Sequence, residues 1–169
     1  MSLRNNILWA AAGFDITVAS DSQQGFSSNY NLFYGPSVGQ WQGVSKASLS
    51  SWRSAGFTDG DSLFIDPLFV DADGADNALG YVSTSQDGRD DNFHVQSLYG
   101  SFHGGSLAPV RGANNLPVML EATEAADAAS SPAIDRGALG DSFSNEPGPN
   151  GGYVNIGAYG NTPQASKSP

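Results

Sequence analysis

The sequence predicts an all-β chain, a parallel β-helix (solenoid) of about six coils with one or two short helices on its flank. Three observations carry that expectation. First, short apolar phrases return at fixed spacings. Asn6-Ile-Leu-Trp9 returns as Asn31-Leu-Phe-Tyr34, 25 residues on, and Pro67-Leu-Phe-Val70 returns as Asn92-Phe-His-Val95, again 25 on. A period in the twenties signals stacked supersecondary units. Second, turn formers are dense and charges sparse: 21 Gly and 9 Pro in 169 residues, with only 14% charged. Frequent turns between short apolar runs suit a β-rich fold. Third, Asn stands just before the inward apolar residue in four of the six expected coils, at Asn6, Asn31, Asn92 and Asn155. Stacked amides can pass hydrogen bonds from one layer to the next.

Taken in order, the first two coils begin at Asn6 and Asn31. The longer gap before Pro67 holds Ser45 to Gly56. There Ser48 can cap a helix, Leu49, Trp52 and Ala55 share a face, and Gly56 can stop it. The coils at Pro67 and Asn92 follow. A second gap holds Pro117 to Ala129, whose Ala and Glu favour helix and whose Pro117 suits a first turn, although an extended excursion fits as well. Ala133-Ile134 and Asn155-Ile156 give the last two coils, 22 residues apart. The coils are expected over residues 4–160. Residues 161–169 are small, polar and bracketed by prolines, and read as a tail or linker. A strand pattern that starts at Asn5 suggests a piece of a longer chain. The outermost coil would then present open strand edges, a pairing hazard.

Charge narrows the partners. Seventeen acids face seven bases, a net charge of −10. Nucleic-acid binding needs a Lys/Arg footprint, so it is not expected. No apolar run approaches the roughly 20 residues of a membrane span, so membrane insertion is not expected either. There is no cysteine, which leaves the redox compartment open.

Nine of the acids lie between Asp59 and Asp91, opposed only by Arg89. Asp71-Ala-Asp-Gly-Ala-Asp76 is the sharpest group. Asp71, Asp73 and Asp76 around a glycine turn could converge on Ca²⁺, which takes six to eight oxygens. The spacing is not that of an EF-hand, and Asp/Gly turns are also common without any ion. His94 and His103, nine apart with no cysteine, make no zinc pattern. No Gly-x-Ser-x-Gly elbow is present, and no residue is assigned a catalytic role. Trp41, Trp52, Tyr30, Tyr34 and Tyr99 could stack on sugar rings, and Trp41, in Gly39-Gln-Trp-Gln-Gly43, is the best exposed candidate.

Ser131-Pro-Ala-Ile-Asp-Arg-Gly137 and Glu146-Pro-Gly-Pro-Asn-Gly-Gly-Tyr-Val-Asn-Ile-Gly-Ala-Tyr-Gly160 resemble the last coils of right-handed parallel β-helix proteins. These are the pectate-lyase-like repeat proteins of large secreted bacterial polypeptides. Asn29 to Tyr34, Asp66 to Asp71 and Asp91 to Val95 match the coil phrases of the same group. The resemblance implies a right-handed winding, an extracellular or cell-surface setting, and contact with polysaccharide and with the rest of a parent chain. It does not imply one reaction, since this architecture carries enzymes, adhesins and spacers alike. The expected role is a non-catalytic structural or binding segment. The alternative is the C-terminal part of a polysaccharide lyase or glycoside hydrolase whose catalytic coils lie upstream.

Overall fold

A computed structural model describes residues 1–104, 109–119 and 121–169. The first third winds in parallel. Strand β1 (Ser2–Arg4) is followed by β2 (Ile7–Leu8), β3 (Ile16–Val18), β4 (Ser27–Asn29), β5 (Leu32–Phe33) and β6 (Gly39–Trp41). β1 pairs with β4, β2 with β5 and β3 with β6, all parallel. Ile7 stands opposite Leu32 and Leu8 opposite Phe33, so the first 25-residue spacing is a real register. Asn6 donates its Nδ2 to Asn31 Oδ1 at 3.1 Å, so the amide stack exists between these two layers. β6 then turns back on β7 (Val44–Lys46), antiparallel.

Helix α1 (Leu49–Gly56) follows. Ser48 caps it, with Ser51 completing the reciprocal capping box. Gly56 is its last residue, and Phe57 adopts the left-handed conformation that ends it, at φ 51° and ψ 41°. The helix lengthens the next lap to 31 residues: β8 (Leu63–Phe64) places Leu63, not Leu68, opposite Leu32.

Beyond Pro67 the winding ends, and the solenoid expectation is overturned. β9 (Phe69–Asp71) and β10 (Asn92–Val95) run antiparallel with an irregular register, Asn92 facing Asp71 and Val95 facing Phe69. Leu68 and Phe93 are therefore not rungs above Ile7 and Leu32. β11 (Ser101–Gly104) pairs antiparallel with β14 (Ala122–Ala125), and β12 (Val110–Arg111) with β13 (Pro117–Val118). Among the described residues about 25% are strand and 5% helix, spread over six small sheets of two or three strands, with no closed or solenoid sheet. The physical cause lies between β9 and β10. A parallel return needs a crossover, whereas the Asp/Gly-rich stretch from Asp71 to Asp91 folds into tight turns that reverse the chain. The second flanking helix is absent as well. Pro117–Val118 and Ala122–Ala125 are strands, and Leu120 lies outside the described residues.

Two apolar cores result. Val18, Phe33, Val38 and Trp52 form one, between the parallel strands and α1. Leu32, Val95, Ala133 and Ile156 form the other, where the second half folds back on the first. The fold-back also covers the edge expected to be open. Gly157 N donates to Asn5 O at 2.9 Å, Ala138 N to Asn5 Oδ1 at 2.6 Å, and Arg4 pairs with Asp141 at 3.0 Å. Residues 161–169 are no free linker, since Ala165, Ser166 and Ser168 are buried.

One buried group sets a pH dependence. Asp15 accepts the Ala10 N–H at 2.9 Å through Oδ1, while its buried Oδ2 has no partner. Burial raises its pKa from 3.8 to about 6. Between those two values the folded chain holds a proton that the unfolded chain releases. This contribution to stability is therefore present at the acid end and is lost as pH rises through about 6. Asp15→Asn keeps the Oδ1 bond and removes the buried charge. The variant is expected to be more stable than the parent by on the order of 1–2 kcal/mol at pH 8, after allowance for partial solvent screening, and by nothing at pH 4. Melting temperatures of both proteins across pH 4 to 8 test this, and a pH-independent gain contradicts it.

Candidate functional site

The parallel strands, α1 and the C-terminal fold-back enclose an open groove. Its wider part, about 680 Å³, is floored by β1 and β4 and bounded by Phe57, Thr58 and Leu139. A second part, about 530 Å³, continues past Asp61 and Leu63 to Arg136 and Tyr153. Tyr30, Arg53, Gly60 and Leu139 line both.

Phe57 is the unusual residue. The left-handed position after a helix favours glycine, and a bulky ring there is an outlier. The side chain is nevertheless 94% exposed, so no core contact compensates the strain. Leu139 faces the same groove and is 67% exposed. Tyr30 is also left-handed, at φ 55°. Its phenol pKa is raised by burial and by the neighbouring Asp61. Tyr153 is half exposed at the far end.

The polar lining is held in place. Arg53 donates Nε to Asp59 O at 2.6 Å and Nη2 to Ser62 O at 2.8 Å. No carboxylate among the described residues pairs with Arg53 or with Arg136. Asn29 and Asp61 clasp each other, Nδ2 to Oδ2 at 2.9 Å and Asp61 N to Asn29 Oδ1 at 2.8 Å. The groove thus offers exposed apolar faces beside fixed donors and acceptors.

Of these groove residues only Tyr30 stands among the aromatics that the sequence offers for stacking on sugar rings. Trp41 lies elsewhere, half-buried on β6. Its ring packs edge-on against Trp52 at 5.6 Å and Phe26 at 5.8 Å, as part of the first core.

Asp71, Asp73 and Asp76 are not gathered into an ion cage. Asp76 spends both carboxyl oxygens on turns, accepting Ala78 N through Oδ1 and Asp87 N through Oδ2, each at 2.9 Å. Asp71 and Asp73 sit side by side. The Asp71 pKa is raised by burial first, then by Asp73, Asp90 and Asp91. Arg89 is tied to Asp87, whose pKa it lowers to about 2. Among the described residues no three His, Asp or Glu side chains are placed to hold a metal ion.

A Ser–His–Asp cluster, also missed from sequence, joins β11 to the segment after β14. Ser101 Oγ donates to Asp127 Oδ2 at 2.6 Å. His103 Nε2 is 3.0 Å from Asp127 Oδ1 and 3.1 Å from Ser101 Oγ. Alternation puts Ser101 and His103 on one strand face, a signal present in the sequence, but Asp127 arrives only by pairing of β14 with β11. A catalytic relay needs one imidazole nitrogen on the nucleophile and the other on the carboxylate. Here one nitrogen meets both, and Ser101 is fully buried. The cluster therefore works as a clasp.

His94 is buried too. It stacks on Tyr159 with ring centroids 3.5 Å apart and bonds Asn92 Oδ1 through Nδ1 at 2.6 Å. Burial lowers its pKa. Comparison of the chain with family models, with curated proteins and with solved structures finds no match.

Proposed function

We propose that the chain is a non-catalytic binding segment of an extracellular or cell-surface protein, and that its groove takes carbohydrate. The observation that carries this reading is Phe57, a ring presented to solvent at a strained position on the rim of a polar groove. Nothing in the packing of the fold repays that arrangement, whereas a ligand with an apolar face would. Sugars pair such faces with hydroxyl groups, and Asn29, Asp61, Arg53 and Arg136 supply partners for those. Specific binding sites combine apolar area with a few fixed polar groups in this manner. The setting and the parent chain are inferred from the coil phrases near both ends.

Phe57→Gly separates binding from stability. Glycine relieves the left-handed strain, which costs on the order of 1 kcal/mol for other residues. The variant is therefore expected to melt at the same temperature or higher. Its affinity for the oligosaccharide bound by the parent is expected to fall roughly tenfold or more, the loss of about 1.4 kcal/mol. Calorimetric titration with short neutral and acidic oligosaccharides gives the answer. If the parent binds none of them at millimolar concentration, or if Phe57→Gly binds as well as the parent, the reading fails.

A further inference from the structure

The structure assigns Asn150 as a site of spontaneous covalent self-modification, a deamidation whose product unpins the C-terminal fold-back. Asn150-Gly151 is the one Asn-Gly pair in the sequence. Its surroundings match what the reaction requires. In the first step the Gly151 amide nitrogen attacks Asn150 Cγ. A C–N bond forms, the Cγ–Nδ2 bond breaks and ammonia leaves, giving a cyclic succinimide. The Gly151 proton departs toward Ser168 Oγ and solvent, and the leaving nitrogen gains one in exchange. Water then opens the ring to aspartate or isoaspartate.

Each atom in that sequence has a neighbour suited to it. Asn150 Oδ1, where negative charge develops, accepts the Gly152 N–H at 2.8 Å, and a fixed donor there stabilises the oxyanion. Nδ2, the leaving group, donates to Glu146 Oε2 at 2.7 Å, a carboxylate that stabilises the positive charge Nδ2 gains when a solvent proton reaches it and it leaves as ammonia. Gly151 N–H donates to Ser168 Oγ at 2.7 Å. Gly151 is exposed, so the water of the second step has access. A side chain at position 151 is excluded for a separate reason: a Cβ would lie 2.4 Å from Asp135 Oδ2.

The product matters because of Glu146. Its Oε1 accepts Asn155 N at 2.9 Å and Asn161 N at 2.8 Å, which pins the turn that carries Ile156 into the second core. Deamidation replaces the Asn150 donor with a carboxylate facing Glu146. Two like charges at hydrogen-bond distance repel, and Glu146 is pushed from its post.

The test incubates the purified chain at pH 8 and 37 °C, native and in 8 M urea, and maps the 1 Da mass gain by peptide mass spectrometry with isoaspartate detection. The native chain is expected to convert at Asn150 faster than the unfolded one. Glu146→Gln is expected to slow the native reaction severalfold while leaving the rate in urea unchanged. Asn150→Asp, which carries the product's charge, is expected to melt about 3 °C or more below the parent. Native conversion slower than in urea, or equal rates for parent and Glu146→Gln in the native state, overturns the assignment. An unchanged melting temperature for Asn150→Asp overturns its consequence.

Discussion

Asp59→Ala is expected to cost about 3–5 kcal/mol of folding stability, in the range for a buried charge network that loses its centre. Asp59 is 1% exposed and both of its carboxyl oxygens accept hydrogen bonds. Oδ1 accepts from Ser28 Oγ at 2.8 Å and Ser62 Oγ at 2.6 Å, and Oδ2 accepts from Trp52 Nε1 at 2.7 Å. Asn31 Nδ2 lies 3.4 Å from Oδ1. Alanine would strand the Trp52 and serine donors in the interior, each costing about 1–3 kcal/mol. Trp52→Phe leaves Oδ2 without its donor and trims a buried ring, but strands no serine, and is expected to cost less. The double variant should then lose less than the sum of the two, because the pair shares one bond. Urea denaturation at pH 7 measures all four proteins. A loss below about 1 kcal/mol for Asp59→Ala would show that water replaces the carboxylate and that the network holds nothing together.

Asp59 also shows what a sequence reveals of such a fold. Composition counts it as one of nine acids in a charged stretch, yet it is a buried carboxylate with donors on both oxygens. The clue is register. Asp59 follows Ser28 by 31 residues and Ser62 follows Asn31 by 31, the same step that sets Leu63 on Leu32. Step length is legible only once the helix that stretches the lap has been located, and that helix is well marked by Ser48, Trp52 and Gly56. The two parallel layers at Asn6 and Asn31 are legible for the same reason: local phrases repeat and nothing intervenes. The second 25-residue spacing, from Pro67 to Asn92, has the same arithmetic and the opposite outcome. Direction depends on the connection, and turns rich in Asp and Gly reverse a chain as readily as they lead it round.

Of the groove, only Tyr30 was legible as an aromatic able to stack on sugar. Tyr30, Phe57, Leu139 and Tyr153 come from separate turns, and no motif links them. What brings them together is the fold-back of residues 131–169 across β1 and β2, a segment whose apolar residues are few. Its docking joins Ala133 and Ile156 in the second core to hydrogen bonds farther along, Lys167 N to Gly100 O at 2.9 Å and Ser166 Oγ to Val95 O. Hydropathy is blind to that kind of attachment. The same composition of Ser, Pro, Gln and Lys therefore reads as linker in the sequence, while in the structure Ala165, Ser166 and Ser168 are buried.

Ala165→Asp discriminates those two readings by a wide margin. In a free tail the substitution changes stability by no more than about 0.5 kcal/mol, as for an ordinary exposed site. In the structure Ala165 is 1% exposed and lies beside Phe93, Val95 and Ile156. A carboxylate there is taken out of water with an apolar surround, which raises a buried acid's pKa by up to 3–5 units. At pH 7 that corresponds to a loss of up to about 4 kcal/mol. The chain has one escape, to release residues 161–169 and leave the charge in solvent, so the loss cannot exceed what the docked segment contributes. The measured value thus reports that contribution directly. We expect a loss of about 3 kcal/mol, diminishing as pH falls toward 4 and the carboxyl takes up its proton. Trypsin cleavage at Lys167 should accelerate in step if the segment undocks. A change within 0.5 kcal/mol at pH 7, with cleavage as slow as in the parent, would mean that the small polar residues at the C-terminal end contribute nothing to the second core.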